Sequence, residues 1–346
     1  MPAGVTRLSD VIVPSIFTAE VQQQTTVKSR LIQSGAVVQS PTLNQFLQGA
    51  GLTFNMSSFQ DLADDTANVS TDNPSDVSSP NKILSSNEKQ VRLSRNQSWS
   101  SMNLTAEMGN NGDPMQAIAN RVSAYWLRQS QLAFIGTMKG VFADNDAAPT
   151  GTEHVAGDLT FDVKGASFLD NTTNFTGENF IDATLTMSDE SDVLGMLMVH
   201  PVVYGRMRKL ELIDFIPDSL NPTAAKIPTY QGMQVVQDKG MPSPSSGVFE
   251  SWIFGSGAVM NGSAPPADAT ATDRIEAAGN GSGQELLYSR VQWIYHPAGH
   301  AYVGTAPNGG PDNTANTNML AAAGSWQRVF PERNQIRIAR LVTREF

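Results

Sequence analysis

The amino-acid sequence predicts an α+β fold in which many short strands accompany one long helix. Apolar residues recur at helical spacing over residues 114–139, which is a long stretch for a globular chain. Elsewhere the apolar residues alternate along short segments bounded by Gly, Pro, Ser and Asn, as is typical of strands. With 346 residues, of which 40% are apolar and 16% are charged, the chain is long enough to bury a sizeable core.

The composition excludes several classes of protein. There is no cysteine, so neither a disulfide framework nor thiolate chemistry is available. The first 30 residues lack the apolar core of a secretory signal. The longest apolar run, at residues 193–199, is far too short to span a membrane. We therefore expect neither secretion nor a membrane partner.

The net charge of −10 is distributed unevenly along the chain. Residues 141–198 carry eleven acids and a single base, Lys164, whereas the segment from Trp326 onward carries five arginines and two glutamates. A surface that binds nucleic acid requires a stripe of basic residues, and the charge pattern of this sequence lacks one. The acidic block is interpreted either as a solvated face or as a surface that repels a polyanion.

The first 105 residues indicate an extended arm followed by a long hairpin. Residues 1–50 show short apolar patches between polar runs, as expected of a segment that lies along a neighbour. Residues 51–105 contain two alternating stretches, GLTFNMSSF and KQVRLSRNQSWS, which predict two strands. The tip between them, at residues 61–81, holds five Asp and neither Lys nor Arg. Because a two-stranded ribbon is marginally stable alone, we expect it to lie on another subunit.

The long helix is predicted over residues 114–139. Asp113 has the side chain of an N-cap, and Pro114 suits the first helical position because its missing N–H costs nothing there. Gly140 is the predicted end of the helix. At about 1.5 Å per residue, the helix spans roughly 40 Å.

The remaining segments predict short helices followed by strands. Residues 178–210 indicate two or three helices, with breaks at positions 188–189 and 200–201. Residues 211–260 indicate strands separated by Pro, Ser and Gly, and residues 233–236 are predicted to be one strand of a small sheet. Further strands follow a Gly- and Ala-rich loop.

The sequence contains no motif that predicts catalysis or metal binding. There is neither a Walker A loop nor a Gly-x-Ser-x-Gly elbow. His296 and His300 have metal-ligand spacing only on a helix, and the Pro and Gly between them predict a turn. His200 precedes a proline and is interpreted as structural. Asp64 and Asp65 lie in a polar tip that lacks the preorganisation acid–base catalysis requires. We expect no enzyme activity, no metal and no cofactor.

Two other features each allow two interpretations. Trp99, between two serines, either stacks on a ligand or covers a neighbouring subunit. Arg206, Arg208 and Lys209 either complement the dipole at the end of a helix or form an ion-pair surface for the next subunit.

Four stretches carry a resemblance to a known family: DPMQAIANRVSAYW, VHPVVYGRMRKLELIDFIPDS, IPTYQGMQVVQDKGMP and PERNQIRIARLV. The chain resembles the major capsid (coat) proteins of tailed bacteriophages, in particular the uncleaved members with the Hong Kong-type capsid fold. The resemblance covers nearly the whole chain. It implies an N-terminal arm at 1–50, an E-loop hairpin at 51–105, a P domain with the spine helix at 106–177, an A domain at 178–285 and returning P-domain strands at 286–346.

The resemblance also implies a function. The protein would assemble as pentamers and hexamers into the icosahedral shell around a double-stranded DNA genome, in the virion, after assembly in the bacterial host cytoplasm. A long charged N-terminal extension is lacking, so we expect either a separate scaffolding protein or none, besides a portal, a decoration protein and DNA held by non-specific proximity. The main alternative is an encapsulin-like shell with protein cargo. A tail or decoration protein is disfavoured by the long helix. A secreted hydrolase is disfavoured by the lack of a secretory signal and of catalytic motifs.

Candidate contacts between subunits lie in the predicted hairpin and at the end of the predicted helices of residues 178–210. They are Asp61, Asp64, Asp65, Arg92, Arg95, Trp99, Arg206 and Arg208.

Overall fold

The structure, a computed structural model, describes residues 36–59, 66–78, 80–83, 85–108, 114–147, 154–216 and 227–346. The α-helices are α1 (Pro41–Gln48), α2 (Asn103–Met108), α3 (Pro114–Asp146), α4 (Gly177–Leu185), α5 (Pro201–Lys209) and the short α6 (Ala278–Gly281). Single 3₁₀ segments cover Ser188–Val193, Ala323–Ser325 and Arg333–Gln335. The strands are β1 (Val37–Gln39), β2 (Thr53–Phe59), β3 (Ser85–Val91), β4 (Leu93–Met102), β5 (Thr160–Asp162), β6 (Leu194–Val199), β7 (Asp214–Ile216), β8 (Ile227–Tyr230), β9 (Met233–Gln237), β10 (Val248–Gly255), β11 (Val259–Ala264), β12 (Thr270–Ile275), β13 (Gln284–Pro297), β14 (His300–Tyr302), β15 (Trp326–Arg328) and β16 (Ile338–Arg344).

Helix α3 begins at Pro114, as predicted, but continues past Gly140 for a total of 33 residues, or about 50 Å. The predicted end at Gly140 is wrong because this glycine serves packing. A Cβ there would lie 2.0 Å from the carbonyl oxygen of Leu320 and 2.5 Å from the ring of Trp326. The predicted N-cap, Asp113, lies outside the described residues. None of the described helices combines the length and the hydropathy that a membrane span requires.

Strand β13 is the centre of a five-stranded sheet. One edge of β13 pairs antiparallel with β4 over residues 284–293. The other edge is shared by β12 and β11, which also run antiparallel to it, and β1 adds to β11 in parallel. Leu287 and Trp293 of β13 are buried in the cluster that contains the apolar residues of α3.

The predicted hairpin of residues 51–105 is shorter than expected. β2 pairs antiparallel with β3 over seven residues of each strand. After a single residue, Arg92, the chain enters β4, which leaves this ribbon and pairs with β13. The ribbon ends here because Val91 and Leu93 are both buried in the core, on either side of Arg92. The single return strand that the sequence predicted is therefore two strands in two sheets.

A seven-stranded sheet has the order β5-β16-β10-β6-β9-β8-β7. Every residue of β10 is buried, and β6 and β16 run antiparallel on its two sides. Apolar residues of α4 and α5 pack on one face of the sheet together with Leu197 and Ile253. On the other face, Trp252 and Phe254 join the cluster of α3. The sheet is thus covered by helices on both faces.

Two predictions for this sheet need correction. Residues 194–199 are the strand β6, whereas the sequence indicated that helices continue through this segment. The run LGMLMV is apolar and is covered on both faces of the sheet, and periodicity alone does not separate such a buried strand from a buried helix. The strand predicted at residues 233–236 is confirmed as β9, but its sheet has seven strands and is not small.

Helix α3 contacts both sheets through aromatic side chains. Trp126 packs edge-on against Trp293 of β13, with ring centroids 5.8 Å apart. Further along the helix, Phe142 packs against Trp252 of β10 at 5.5 Å. Such pairs add about 1 kcal/mol each to the stabilisation from buried area. The helix therefore fixes the two sheets relative to each other.

We predict that Gly140→Ala lowers the free energy of unfolding by roughly 1–3 kcal/mol, because the new methyl group overpacks the contact with Leu320 and Trp326. Gly205→Ala in α5 is the matched control. No atom lies within 4 Å of its added Cβ, so the better helix propensity of alanine should raise the free energy of unfolding by about 0.5–1 kcal/mol. Urea titrations at one protein concentration measure both values. Equal stability of the two variants would contradict the packing role of Gly140.

Candidate functional site

The predicted contact residues fall into two separate regions of the subunit. Arg92, Arg95 and Trp99 lie on or beside β4, in the five-stranded sheet. Arg206 and Arg208 lie in the last turn of α5, which packs on the seven-stranded sheet. The three predicted aspartates, Asp61, Asp64 and Asp65, lie outside the described residues.

Arg92 connects three elements of its own chain. Its Nη2 donates hydrogen bonds to the carbonyl oxygens of Phe46, Leu47 and Gly49, at 3.1, 3.0 and 2.5 Å. These carbonyls close α1, where a cation is favoured by the helix dipole. The guanidinium also lies over the ring of Phe54 in β2, 5.4 Å from its centroid. Arg92 thus holds α1 and the start of the β2–β3 hairpin against β4.

Arg95 has a similar role for a later loop. Its Nη1 donates to the carbonyl oxygens of Ser94 and Gly309, at 3.0 and 3.1 Å, and its Nη2 donates to that of Pro311. Burial lowers the pKa of the guanidinium, and the negative charge of Asp312 opposes this shift. The side chain therefore ties the segment after residue 305 to β4.

Trp99 lies in a shallow groove between β4 and α3, which we call the α3 groove. Its ring packs edge-on against Tyr125, with centroids 5.4 Å apart. The groove has a volume of about 210 Å³ and is lined by Trp99, Ala117, Ile118, Arg121, Val122, Tyr125 and Arg128. Both arginines are exposed, and no carboxylate of the described residues forms an ion pair with either of them. The sequence interpretation missed this basic pair because the two residues are seven positions apart in an otherwise apolar helical pattern.

Arg206 and Arg208 differ in their surroundings. Arg206 forms an ion pair with Asp170, which also accepts a hydrogen bond from Asn174 at 2.7 Å. Arg208 is exposed at the end of α5. Both charges stand near the negative end of the helix dipole, as one of the two sequence interpretations expected.

The acidic block at residues 141–198 is not simply a solvated face. Asp158 binds Arg328 through two contacts of 2.6 and 2.9 Å, and Asp146 binds Arg340 at 2.5 Å. Asp162 pairs with Lys164, and Asp170 pairs with Arg206. These four acids, all within the described residues, are therefore in ion pairs, two of them with arginines from the chain's last twenty residues. The charge imbalance that was visible in the sequence is partly compensated in three dimensions.

The turn predicted between His296 and His300 is confirmed, since residues 298–299 connect β13 to β14. The sequence interpretation missed the partner of His296, which is Glu88 of β3 with Nε2 and Oε2 2.5 Å apart. No group of three or more potential metal ligands was found within the described ranges. His200 is structural, as predicted: its Nδ1 accepts a hydrogen bond from the Val202 N–H at the start of α5.

Comparisons with known proteins give the class of the fold. No family model matches the chain. The chain superimposes on a chain of the capsid asymmetric unit of cyanophage Pam1 with a TM-score of 0.55 and 11% identity, over 92% of both chains. A capsid chain of Ralstonia phage GP4 gives a TM-score of 0.51 at 10% identity, over 86% of this chain and 85% of that one. The arrangement of a long helix that contacts two sheets, together with a two-stranded hairpin, is thus the Hong Kong-type capsid fold.

Sequence similarity then gives the family. The chain is 32% identical over 331 residues to the major capsid protein of Bacillus phage SPP1, and the match covers 94% of both chains. The chain belongs to the family of tailed-phage major capsid proteins, as its resemblance implied. It is a structural protein of the virion capsid and forms the icosahedral shell.

We predict that Asp158→Asn costs roughly 3–5 kcal/mol of the free energy of unfolding, because it leaves the guanidinium of Arg328, with a side chain only 1% exposed, without its carboxylate. Asp170→Asn is the matched control. Its carboxylate is 62% exposed, so solvent screening limits the cost to about 1 kcal/mol or less. Equilibrium unfolding of both variants measures the difference. Similar costs would contradict the distinction between the buried and the exposed pair.

Proposed function

We propose that this chain assembles as pentamers and hexamers into a shell that encloses the double-stranded DNA genome of a tailed phage, and that it does so in the host cytoplasm without catalysing a reaction. The observation that carries the proposal is the 32% identity to a major capsid protein over 94% of both chains. A closed shell repeats one set of contacts many times, so each contact can be modest.

The divisions implied by the resemblance remain our proposal for the roles of the elements. The arm at residues 1–50, the E-loop at 51–105 and the A domain at 178–285 would make contacts between subunits. The P-domain segments at 106–177 and 286–346 would hold the subunit together. The position of α3 between the two sheets supports the last assignment, because a helix that contacts both sheets resists their separation.

The α3 groove is the surface we assign to a neighbouring hairpin. Arg92 and Arg95 are already bonded to carbonyl oxygens of their own chain, so they are poorly placed to bind carboxylates of a second copy. Arg121 and Arg128 are exposed beside Trp99. The hairpin tip at residues 61–81, with five Asp and no base, has the complementary charge.

Apolar contacts support the same assignment. Phe59 at the end of β2 is 75% exposed and Ile83, just before β3, is 52% exposed. Large apolar side chains at the end of a ribbon are candidates for burial against a partner. The groove offers the half-buried Trp99, Ile118 and Tyr125 to them. Arg208 remains a candidate contact at the other end of the subunit.

Further partners follow from the family and from the charge. We propose a separate scaffolding protein, a portal, and a decoration protein, besides packaged DNA. A net charge of −10 does not favour strong binding of DNA, so the genome would be enclosed by proximity and could leave the shell again.

The proposed function predicts that the purified full-length chain forms rings of five or six subunits, and that it forms closed shells when it is produced with the gene products encoded beside it. Negative-stain electron microscopy and sizing chromatography measure this. A monodisperse monomer under both conditions would overturn the proposal, and closed shells from the chain alone at physiological salt would contradict the separate scaffold.

Particles from infected cells should contain DNA; protein cargo without DNA would favour the encapsulin-like alternative.

The groove assignment predicts that Arg121→Glu with Arg128→Glu reduces assembly at least tenfold while the subunit stays folded, because both arginines are exposed and two repelled contacts cost about 1.4 kcal/mol or more in total. The control is a charge swap. Asp61→Lys, Asp64→Lys and Asp65→Lys in the same chain should restore assembly of the double variant. The yield of particles in sizing chromatography is the measurement. Wild-type assembly of the arginine variant, or no rescue by the lysine variant, would count against this groove.

A further inference from the structure

The chain contains four Asn-Gly pairs, at residues 111–112, 261–262, 280–281 and 308–309. Asparagine is one of the thermolabile residues. It loses its side-chain amide most readily before glycine, because no Cβ on the second residue hinders attack by the backbone nitrogen of that residue. The first pair lies outside the described residues. The other three are described, and they differ in what holds their backbone.

The reaction at such a pair requires the backbone to rotate. The glycine nitrogen, after its proton has passed to water or hydroxide, attacks Cγ of the asparagine. The new N–Cγ bond closes a succinimide ring, and the Cγ–Nδ2 bond breaks as ammonia leaves. Water then opens the ring at one of its two carbonyl carbons and gives aspartate or isoaspartate. Because the ring fixes the asparagine backbone away from regular strand or helix geometry, hydrogen bonds that hold the pair must open first.

The pair Asn261 and Gly262 is held most firmly. Both residues lie in β11, which pairs with β1 and with β13. Asn261 is only 5% exposed, and a Cβ added at Gly262 would lie 2.5 Å from Cβ of Leu43 in α1. Ring closure here requires β11 to leave its sheet. The free energy of opening a core strand approaches that of global unfolding.

The pair Asn308 and Gly309 is exposed but tied to β4. The Gly309 carbonyl oxygen accepts a hydrogen bond from the Ser94 N–H at 3.0 Å and another from Arg95 Nη1 at 3.1 Å. Both donors belong to a strand of the five-stranded sheet. Rotation of this pair therefore requires these two hydrogen bonds to open.

The pair Asn280 and Gly281 lies at the tip between β12 and β13, beyond the last paired residues of those strands. Both residues are exposed, and both have a left-handed backbone, with φ of 57° and 93°. Among the described residues, the Asn280 side chain has no hydrogen-bond partner. No atom lies within 4 Å of a Cβ added at Gly281. Neither sheet pairing nor side-chain packing restrains rotation here.

We propose that Asn280 is a site of spontaneous deamidation, at which the β12–β13 tip acquires an aspartate or an isoaspartate. The structure orders the three described pairs by what must open before the ring can close. Asn280 requires only a rotation within an exposed turn, Asn308 requires the loss of two hydrogen bonds, and Asn261 requires the loss of a core strand. Asn280 therefore reacts first, and this order does not depend on the proposed shell.

The product changes the charge of the tip. Arg274 near the tip is shared by Glu276, at 3.0 Å, and Glu285, at 3.6 Å. A carboxylate at residue 280 adds a further negative charge to this region, and isoaspartate also inserts one carbon atom into the main chain of the turn. The first fully buried apolar side chain of β13 is that of Leu287, so the core is not disturbed. The modification thus makes a surface feature of the subunit depend on its age.

The test is peptide mass spectrometry on the purified full-length chain during incubation at pH 8.5, where base accelerates ring closure. The gain of mass in each Asn-Gly peptide gives three rates from one sample, and circular dichroism reports that the chain stays folded. We expect Asn280 to react at least about tenfold faster than Asn308, and Asn261 to stay unchanged over the same time, because exposed turns open at almost no cost in free energy and core strands do not.

Two controls assign the rates to structure. In urea, where the same chain is unfolded, the three pairs should react at rates within about threefold of one another. Arg95→Gln removes a hydrogen bond to the Gly309 carbonyl and should raise the rate at Asn308 about threefold or more, while the rate at Asn280 stays unchanged. Asn280→Gln places the amide one carbon further from the glycine nitrogen and should abolish the reaction in that peptide.

Three results would overturn the site. The first is a rate at Asn280 in the folded chain that does not exceed those at Asn308 and Asn261. The second is a rate at Asn280 that is more than about tenfold lower in the folded chain than in urea, since the tip would then be held closed. The third is aspartate as the sole product, because direct hydrolysis without a succinimide gives no isoaspartate; chromatography of the peptides separates the two isomers.

Discussion

The contact of helix α3 with both sheets is the constraint on which the rest of the subunit depends. Two rigid sheets meet along one helix of about 50 Å, so the spacing along that helix sets the distance between them. The close approach at Gly140 lets the Trp326 ring reach the helix, and the Trp326 Nε1–H donates to the Leu320 carbonyl at 2.8 Å. A residue with a side chain at this position would push the segment that carries β15 away from the helix.

The buried ion pairs of this subunit fix the relative orientation of its elements more than they add to its stability. Arg328 and Arg340 are nearly buried. Arg340 reaches Asp146, the last residue of α3, and Arg328 reaches Asp158, which also accepts a hydrogen bond from Asn145 near the end of that helix. Arg340 also lies over the ring of Phe142, 4.8 Å from its centroid. Buried ion pairs often add little net stability compared with apolar contacts, but a broken one is costly. These pairs therefore select one way in which β16 and β15 can approach α3, and they leave most of the remaining acidic charge at the surface.

The sequence correctly predicted those helices and strands that are indicated by neighbouring residues. It failed where contacts with distant residues determine whether a segment is a helix or a strand. The start of α3 follows from Pro114, and β9 follows from a short apolar run between turns. The segment LGMLMV has no such local signal, because whether it is a helix or a strand depends on β10 and β9 on its two sides. Gly140 looked like a helix end for the same reason, since the ring that occupies its space lies 186 residues further along the chain.

The same distinction between local and distant signals applies to the candidate site. Resemblance to capsid proteins was visible in the sequence because it is carried by whole stretches, whereas the partners of individual side chains were not. Arg92 and Arg95 stood out as charges in a strand, yet their acceptors are carbonyl oxygens, which every residue has and no sequence pattern marks. Glu88 and His296 are 208 positions apart. Only the register of β3 against the turn after β13 brings them together.

The place of β16 in its sheet has a consequence for how the chain is made. This strand lies between β5 and β10, although residues 338–344 are synthesised long after β10. Strands β6, β9 and β10 can pair earlier, but the edge of β10 stays open until β16 has been made. An open edge is a site for pairing with other chains, and long-range pairing is slow to form. A nascent subunit therefore carries an unprotected sheet edge while the residues between β10 and β16 are synthesised, and β16 then closes this edge.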